Sequence, residues 1–110
     1  MKPNYTYYAK LVRVIDGDTI VAMIDLGHKT WVKRHIRLLD VYAPEVRTRD
    51  AEEKTRGLVV KSRLESFLQL RTEMFIQTVK KDSFGRYLGN IWVDGINVND
   101  FINSYIKGMK

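Results

Sequence analysis

RLLDVYAPE, residues 37–45, is where the sequence changes character. Before it, residues run in alternating, β-branched and aromatic patterns; after it, apolar residues recur at helical spacing. Within nine positions the stretch also sets an arginine, a proline and a glutamate at the end of an apolar strand. Read alone, it is a strand with a charged border followed by a Pro turn. Read with the rest of the chain, Arg37 and Glu45 are two groups that could converge on one point.

Upstream, YYAKLVRVI (7–15) has the composition of a strand, followed by the turn Asp16-Gly17 and a second strand over 19–26. Gly27-His28-Lys29 makes a short turn, and 30–41 reads as a long third strand, so the first half is a three-stranded antiparallel meander. Downstream, Asp50 with Glu53 three residues later predicts a capping box, with Glu52 also favourable near a helix N-terminus. Val60, Leu64, Phe67 and Leu68 then form one apolar stripe of a helix over 51–69. Strands are expected at 71–80 and 86–93, joined by a loop at 81–85. Asp94-Gly95 turns the chain into a last helix striped by Val98, Phe101, Ile102, Tyr105 and Ile106, with Gly108 as its expected C-terminal cap.

Three strands, a helix, two strands and a helix make a mainly β chain with α (α+β). It is the plan of a five-stranded OB-fold barrel with a helix after strand 3 and a C-terminal helix. An open α+β sheet would read similarly. The 110 residues suit one domain spanning 1–110, and 45% apolar with 29% charged residues is ordinary for a globular protein. With no Cys, disulfides, thiolate metal sites and cysteine nucleophiles are excluded. His28 and His35 match no common metal spacing. No signal-peptide core or membrane-length apolar run is seen, which leads to the expectation of a cytoplasmic monomer with no membrane partner. The net charge of +6 is the footprint of a polyanion binder where clustered and of solubility where dispersed.

Three pieces carry chemistry. Asp16-Gly17-Asp18-Thr19 is a hairpin turn, but Asp18 opens a strand, where Asp is disfavoured, and a carboxylate there can hold a hard cation. Arg37 with Glu45 is either a surface ion pair or half of a phosphodiester-cleaving site. Such a site needs a water, a group to orient or deprotonate it, and positive charge for the transition state. The planar fork of Arg suits that last task better than Lys. Phe84-Gly85-Arg86 is a hairpin loop with a buried ring, or a base-stacking ring beside a phosphate-facing arginine.

VIDGDTI (14–20), RLLDVYAPE (37–45), DSFGR (82–86) and VDGINVND (93–100), in that order, resemble the staphylococcal nuclease (thermonuclease) family over residues 9–107. The resemblance implies an OB-fold nuclease that hydrolyses phosphodiester bonds of DNA and RNA with Ca²⁺, leaving a 3′-phosphate and a 5′-hydroxyl. It implies Asp18 as a metal ligand, Arg37 and Arg86 as phosphate-gripping residues, and Glu45 as general base or water-positioner. Phe84 stands at a base-stacking position, and the Ala43 carbonyl at a backbone metal ligand.

One position departs from the family pattern. Tyr42 occupies the place of a second metal-binding aspartate, and a neutral phenol is a poor Ca²⁺ ligand, so weak metal binding is expected and Tyr42 is read as a substrate contact. Asp40 lies two residues earlier on the same side of an extended strand and is a candidate replacement ligand through a bulge or a bridging water. The chain also stops soon after the helix carrying Tyr105, where family members continue, which suggests a short form of the domain. Alternative readings are a nucleic-acid-binding OB module with a disabled metal site, and a protein-interaction scaffold.

Overall fold

A computed structural model of the chain describes residues 5–70, 73–81 and 86–109. The elements are β1 (Tyr5–Asp16), β2 (Thr19–Asp25), β3 (Trp31–Leu38), α1 (Ala51–Gln69), β4 (Met74–Lys81), β5 (Tyr87–Val93), β6 (Ile96–Asn97) and α2 (Val98–Gly108). β1, β2 and β3 form the expected antiparallel meander, and β1 pairs on its other edge with β4, which pairs with β5. A parallel pairing of β3 with β5 (Ile36 with Tyr87, Arg37 with Leu88, Leu38 with Gly89) closes the sheet into a five-stranded barrel. The fold is the OB-type barrel, and the open-sheet alternative is ruled out by that closing ladder.

Inward positions fill the barrel. Ile20, Ala22, Ile24, Ile36, Leu38, Ile76, Ile91 and Val93 are buried and belong to one continuous core. Val60, Leu64, Phe67 and Leu68, the stripe read from the sequence, bring α1 onto that core. α2 adds Val98 and Ile102, and Phe101 stacks on Phe67 with ring centroids 3.9 Å apart. Each fully buried aliphatic side chain contributes about 1.5–3 kcal/mol of transfer free energy. No helix among the described residues is long and apolar enough to cross a membrane.

The structure differs from the sequence expectations at several ends. β3 stops at Leu38 rather than 41, because Leu39 and Asp40 form a turn closed by the Val41 amide donating to the Leu38 carbonyl. A sixth, two-residue strand follows the Asp94-Gly95 turn, where both residues have positive φ (49° and 81°), the geometry of a type I′ hairpin. Gly108 is not a left-handed cap: it is the last helical residue, and Met109 closes α2 in right-handed conformation. The Asp50 cap forms, its carboxylate accepting from the Glu52 and Glu53 amides, but the box is only half made. Glu53 instead accepts from the Glu45 amide and the Thr48 hydroxyl, both at 3.4 Å, so it braces the loop ahead of the helix.

Asn99 was not anticipated as structural. Buried in the first turn of α2, its side chain accepts from the Ile91 amide and donates to the Leu39 and Gly89 carbonyls. It ties α2 to β5 and to the turn that leads into 41–45.

Candidate functional site

The β1–β2 turn, the end of β3 with the loop after it, and the residue before β5 meet on one side of the barrel. Two ladders bring them there. The β2–β3 register sets Thr19 opposite Arg37, and the Leu38 amide donates to the Asp18 carbonyl at 2.7 Å. The β3–β5 seam sets Arg37 opposite Leu88, two residues past Arg86. The result is a cleft of about 340 Å³ in which Asp18, Arg37, Ala43, Glu45 and Arg86 all contribute to the lining, joined by Tyr42, Asp16 and Arg47.

Asp18 is the hub. Its Oδ1 accepts from the Thr19 hydroxyl at 2.9 Å, and its Oδ2 accepts from the Ala43 amide at 3.2 Å. The same Oδ2 lies 3.7 Å from Arg37 Nη2, which donates to the Val41 carbonyl at 3.1 Å. The guanidinium is thus fixed between a carboxylate and a backbone carbonyl. Tyr42, 72% exposed, lays its ring 5.0 Å from the Arg37 Cζ. A phenyl face against a guanidinium is a cation–π contact.

Two glycines let α1 close the site. A Cβ on Gly57 would stand 2.6 Å from the Glu45 carbonyl oxygen and 2.8 Å from that of Pro44. A Cβ on Gly17 would collide with the Val60 side chain and lie 3.0 Å from the Ala43 Cβ. Glycine at 57 lets the helix touch the Pro44-Glu45 backbone directly, and glycine at 17 lets the turn pack under the Val60 and Ala43 side chains.

The structure does not bring every candidate together. Asp40 is outside the cleft: it is exposed, has φ of 59°, and its carbonyl accepts from the Asn103 side-chain Nδ2. The same-side argument needed an extended strand through residue 41, and the strand has already ended. Phe84 lies outside the described residues. Asp16 and Arg47 line the cleft but were not singled out; Asp16 was absorbed into the turn, though its place two residues before Asp18 was a usable signal. A larger groove of about 450 Å³ between α1 and α2, lined by residues such as Leu58, Val59 and Tyr105, holds no carboxylate and offers no acid–base pair.

Residues 35–104 match the sequence profile of the staphylococcal nuclease homologue family. The chain belongs to that family. Among relatives of this staphylococcal nuclease homologue, an uncharacterized protein of Methanocaldococcus jannaschii is 31% identical over 116 residues, covering 88% of this chain and 53% of the relative. Protein ParB of Escherichia coli is 33% identical over 85 residues, 77% of this chain and 41% of the relative. An uncharacterized endonuclease of Escherichia coli O157:H7 is 31% identical over 96 residues, 86% and 55%. The chain thus spans about half the length of the curated relatives it matches.

The carboxylates of the cleft (Asp16, Asp18, Glu45) are hard oxygen donors, the chemistry that suits Ca²⁺ or Mg²⁺, and Ala43 meets Asp18 through its N–H. Among the described residues, however, no three His, Cys, Asp or Glu side chains are grouped closely enough to hold an ion by themselves. The donor type fits a hard cation.

Proposed function

We propose that this chain is a metal-dependent nuclease hydrolysing phosphodiester bonds of DNA or RNA in the Asp18–Arg37–Glu45–Arg86 cleft. The supporting observation is the convergence of these four side chains, from separate segments, on one polar cleft in a staphylococcal nuclease homologue. The endonuclease relative points the same way.

In this reading Arg37 receives the scissile phosphate. It is already held by Asp18 and the Val41 carbonyl, so little side-chain freedom is lost on binding. Its fork and that of Arg86 stabilise the charge that gathers on the phosphoryl oxygens in the transition state. Glu45 takes the proton from the attacking water as the new P–O bond forms and the P–O5′ bond breaks, and the departing O5′ takes a proton from solvent water, leaving a 3′-phosphate and a 5′-hydroxyl. Asp18, with Asp16 and the Ala43 carbonyl, would hold Ca²⁺ or a similar cation, which supplies positive charge to the same phosphate. Tyr42 leaves that shell short of an anion and offers a ring beside the phosphate grip.

The exposed Tyr42 ring against Arg37 favours a second reading, a nucleic-acid-binding module with weak or no catalysis. Incubation with single-stranded DNA and Ca²⁺, beside EDTA and the Arg37→Ala and Glu45→Ala variants, separates the two. Calcium-dependent cleavage lost in both variants supports the enzyme. Salt-sensitive binding without cleavage under any divalent ion supports the module and sinks the enzyme.

A further inference from the structure

The cleft is electrically balanced although the chain is not. Arg37, Arg47 and Arg86 face Asp16, Asp18 and Glu45 across it, so the excess of +6 resides elsewhere. Part of that excess lies on the outward face of β1–β3. Side chains alternate along a strand, so His35, Lys33 and Trp31 follow Arg37 on one face of β3, and all three are exposed. Register sets Arg13 and His35 on either side of Val21, and Lys10 and Lys33 on either side of Met23. Directly opposite residues share a face, and Val21, although outward, is buried beneath this layer.

The strip ends in rings. Trp31 and Phe75 are 36% and 38% exposed, and Tyr8 stands edge-on to both, at 6.4 Å and 5.8 Å. Lys10 Nζ lies 5.2 Å from the Trp31 ring. In register with Trp31, Asp25 brings an acid to the face, but its carboxylate accepts from the Gly27 amide at 2.8 Å.

We propose that this face is a track for single-stranded nucleic acid, leading from the cleft over Arg13, Lys33 and Lys10 to a base-stacking platform at Trp31, Tyr8 and Phe75. The proposal rests on the nuclease reading only in taking the cleft to hold a phosphodiester. Three cations beside partly exposed rings complement phosphates joined to bases, and stacking on those rings requires bases freed from a partner strand. From Arg37 to Trp31 the path is roughly 20 Å along the strand. That accommodates about six stacked nucleotides at ~3.4 Å each, within the ~4–16 nucleotides engaged by OB folds.

The test is fluorescence anisotropy in EDTA with labelled oligothymidylates, a dinucleotide that fills only the cleft and a dodecamer that also reaches the track. The variants are Lys10→Ala/Lys33→Ala, Trp31→Ala and a charge-matched control, Lys61→Ala/Lys107→Ala, each checked for a wild-type melting temperature. Expected for the dodecamer are a log–log salt slope lower by about 1.4 in the double variant, ~0.7 per lost phosphate contact, and affinity at least about five-fold weaker in Trp31→Ala. Dinucleotide binding and the control stay at wild-type values. Unchanged dodecamer binding in both track variants overturns the proposal, as does equal weakening of the dinucleotide. A Trp31→Ala variant that loses only self-association marks the rings as a protein interface and likewise overturns it. The nuclease reading stands or falls separately, on cleavage.

Discussion

Gly57 of α1 lies directly against the carbonyl of Glu45, so close that a Cβ would stand 2.6 Å from that oxygen. The candidate base of the site is therefore positioned by the absence of a side chain on a neighbouring helix. Helix propensity alone makes Gly57→Ala stabilising by ~0.8–1 kcal/mol. The close approach reverses the sign.

Overpacking of this kind costs about 1–3 kcal/mol, so Gly57→Ala should be destabilised by roughly 1 kcal/mol net. The melting temperature is then lowered by about 4–8 °C. Urea unfolding checks it, and a variant more stable than wild type would show that the contact is not restrictive. Cleavage should fall further than stability, because Glu45 moves with its carbonyl.

Asn99→Ala leaves the Ile91 amide and the Leu39 and Gly89 carbonyls without their side-chain partner. The Gly89 carbonyl keeps the Leu39 amide, so two groups are left unsatisfied, and at about 1–3 kcal/mol each a loss of at least ~2 kcal/mol is expected in denaturant unfolding. Asn99→Asp turns a carboxylate toward two carbonyls, which raises its folded-state pKa above the unfolded value. Relative to wild type, its deficit is therefore smallest under acid conditions and grows as pH rises through the carboxylate range.

Tyr42→Asp places a carboxylate on the cleft rim at the loss of an exposed ring. Calorimetric titration with Ca²⁺ should show tighter binding than wild type, with stability within about 0.5 kcal/mol because the site is at the surface. Unchanged affinity would mean that the cleft lacks more than this one ligand.

Arg37→Lys keeps the charge but loses both the planar fork and the Nη2 that reaches Asp18 and the Val41 carbonyl. Cleavage is expected to drop by about 10²-fold while stability changes by only ~1 kcal/mol. Steady-state kinetics beside thermal melts separate the two effects.

Much of the barrel was legible because its evidence is local: alternation in β1–β3, the Val60–Leu68 stripe, the turn at Asp94-Gly95. Arg37, Glu45, Asp18 and Arg86 were legible as chemical types, and their meeting in one cleft is set by pairings between strands distant in sequence. Asp40 was misplaced because β3 ends in a left-handed turn, which short-range pattern does not reveal. Asp16 was hidden by its second occupation as a turn residue. The roles of Asn99 and Gly57 were not legible for a shared reason: Gly57 reads only as a slight weakening of the helix, and each acts on backbone atoms of remote segments, contacts that leave no periodic trace.

The parallel seam between β3 and β5 joins residues 51 positions apart, Ile36 with Tyr87, and it is this seam that carries Arg37 and Arg86 to one place. Contacts of such long separation are the slow ones to form. A chain with its meander and helix made, but β5 still undocked, has both arginines and no grip. On the proposed reading of the cleft, phosphate affinity becomes a reporter of barrel closure, and its appearance during refolding should follow the docking of β5 on β3.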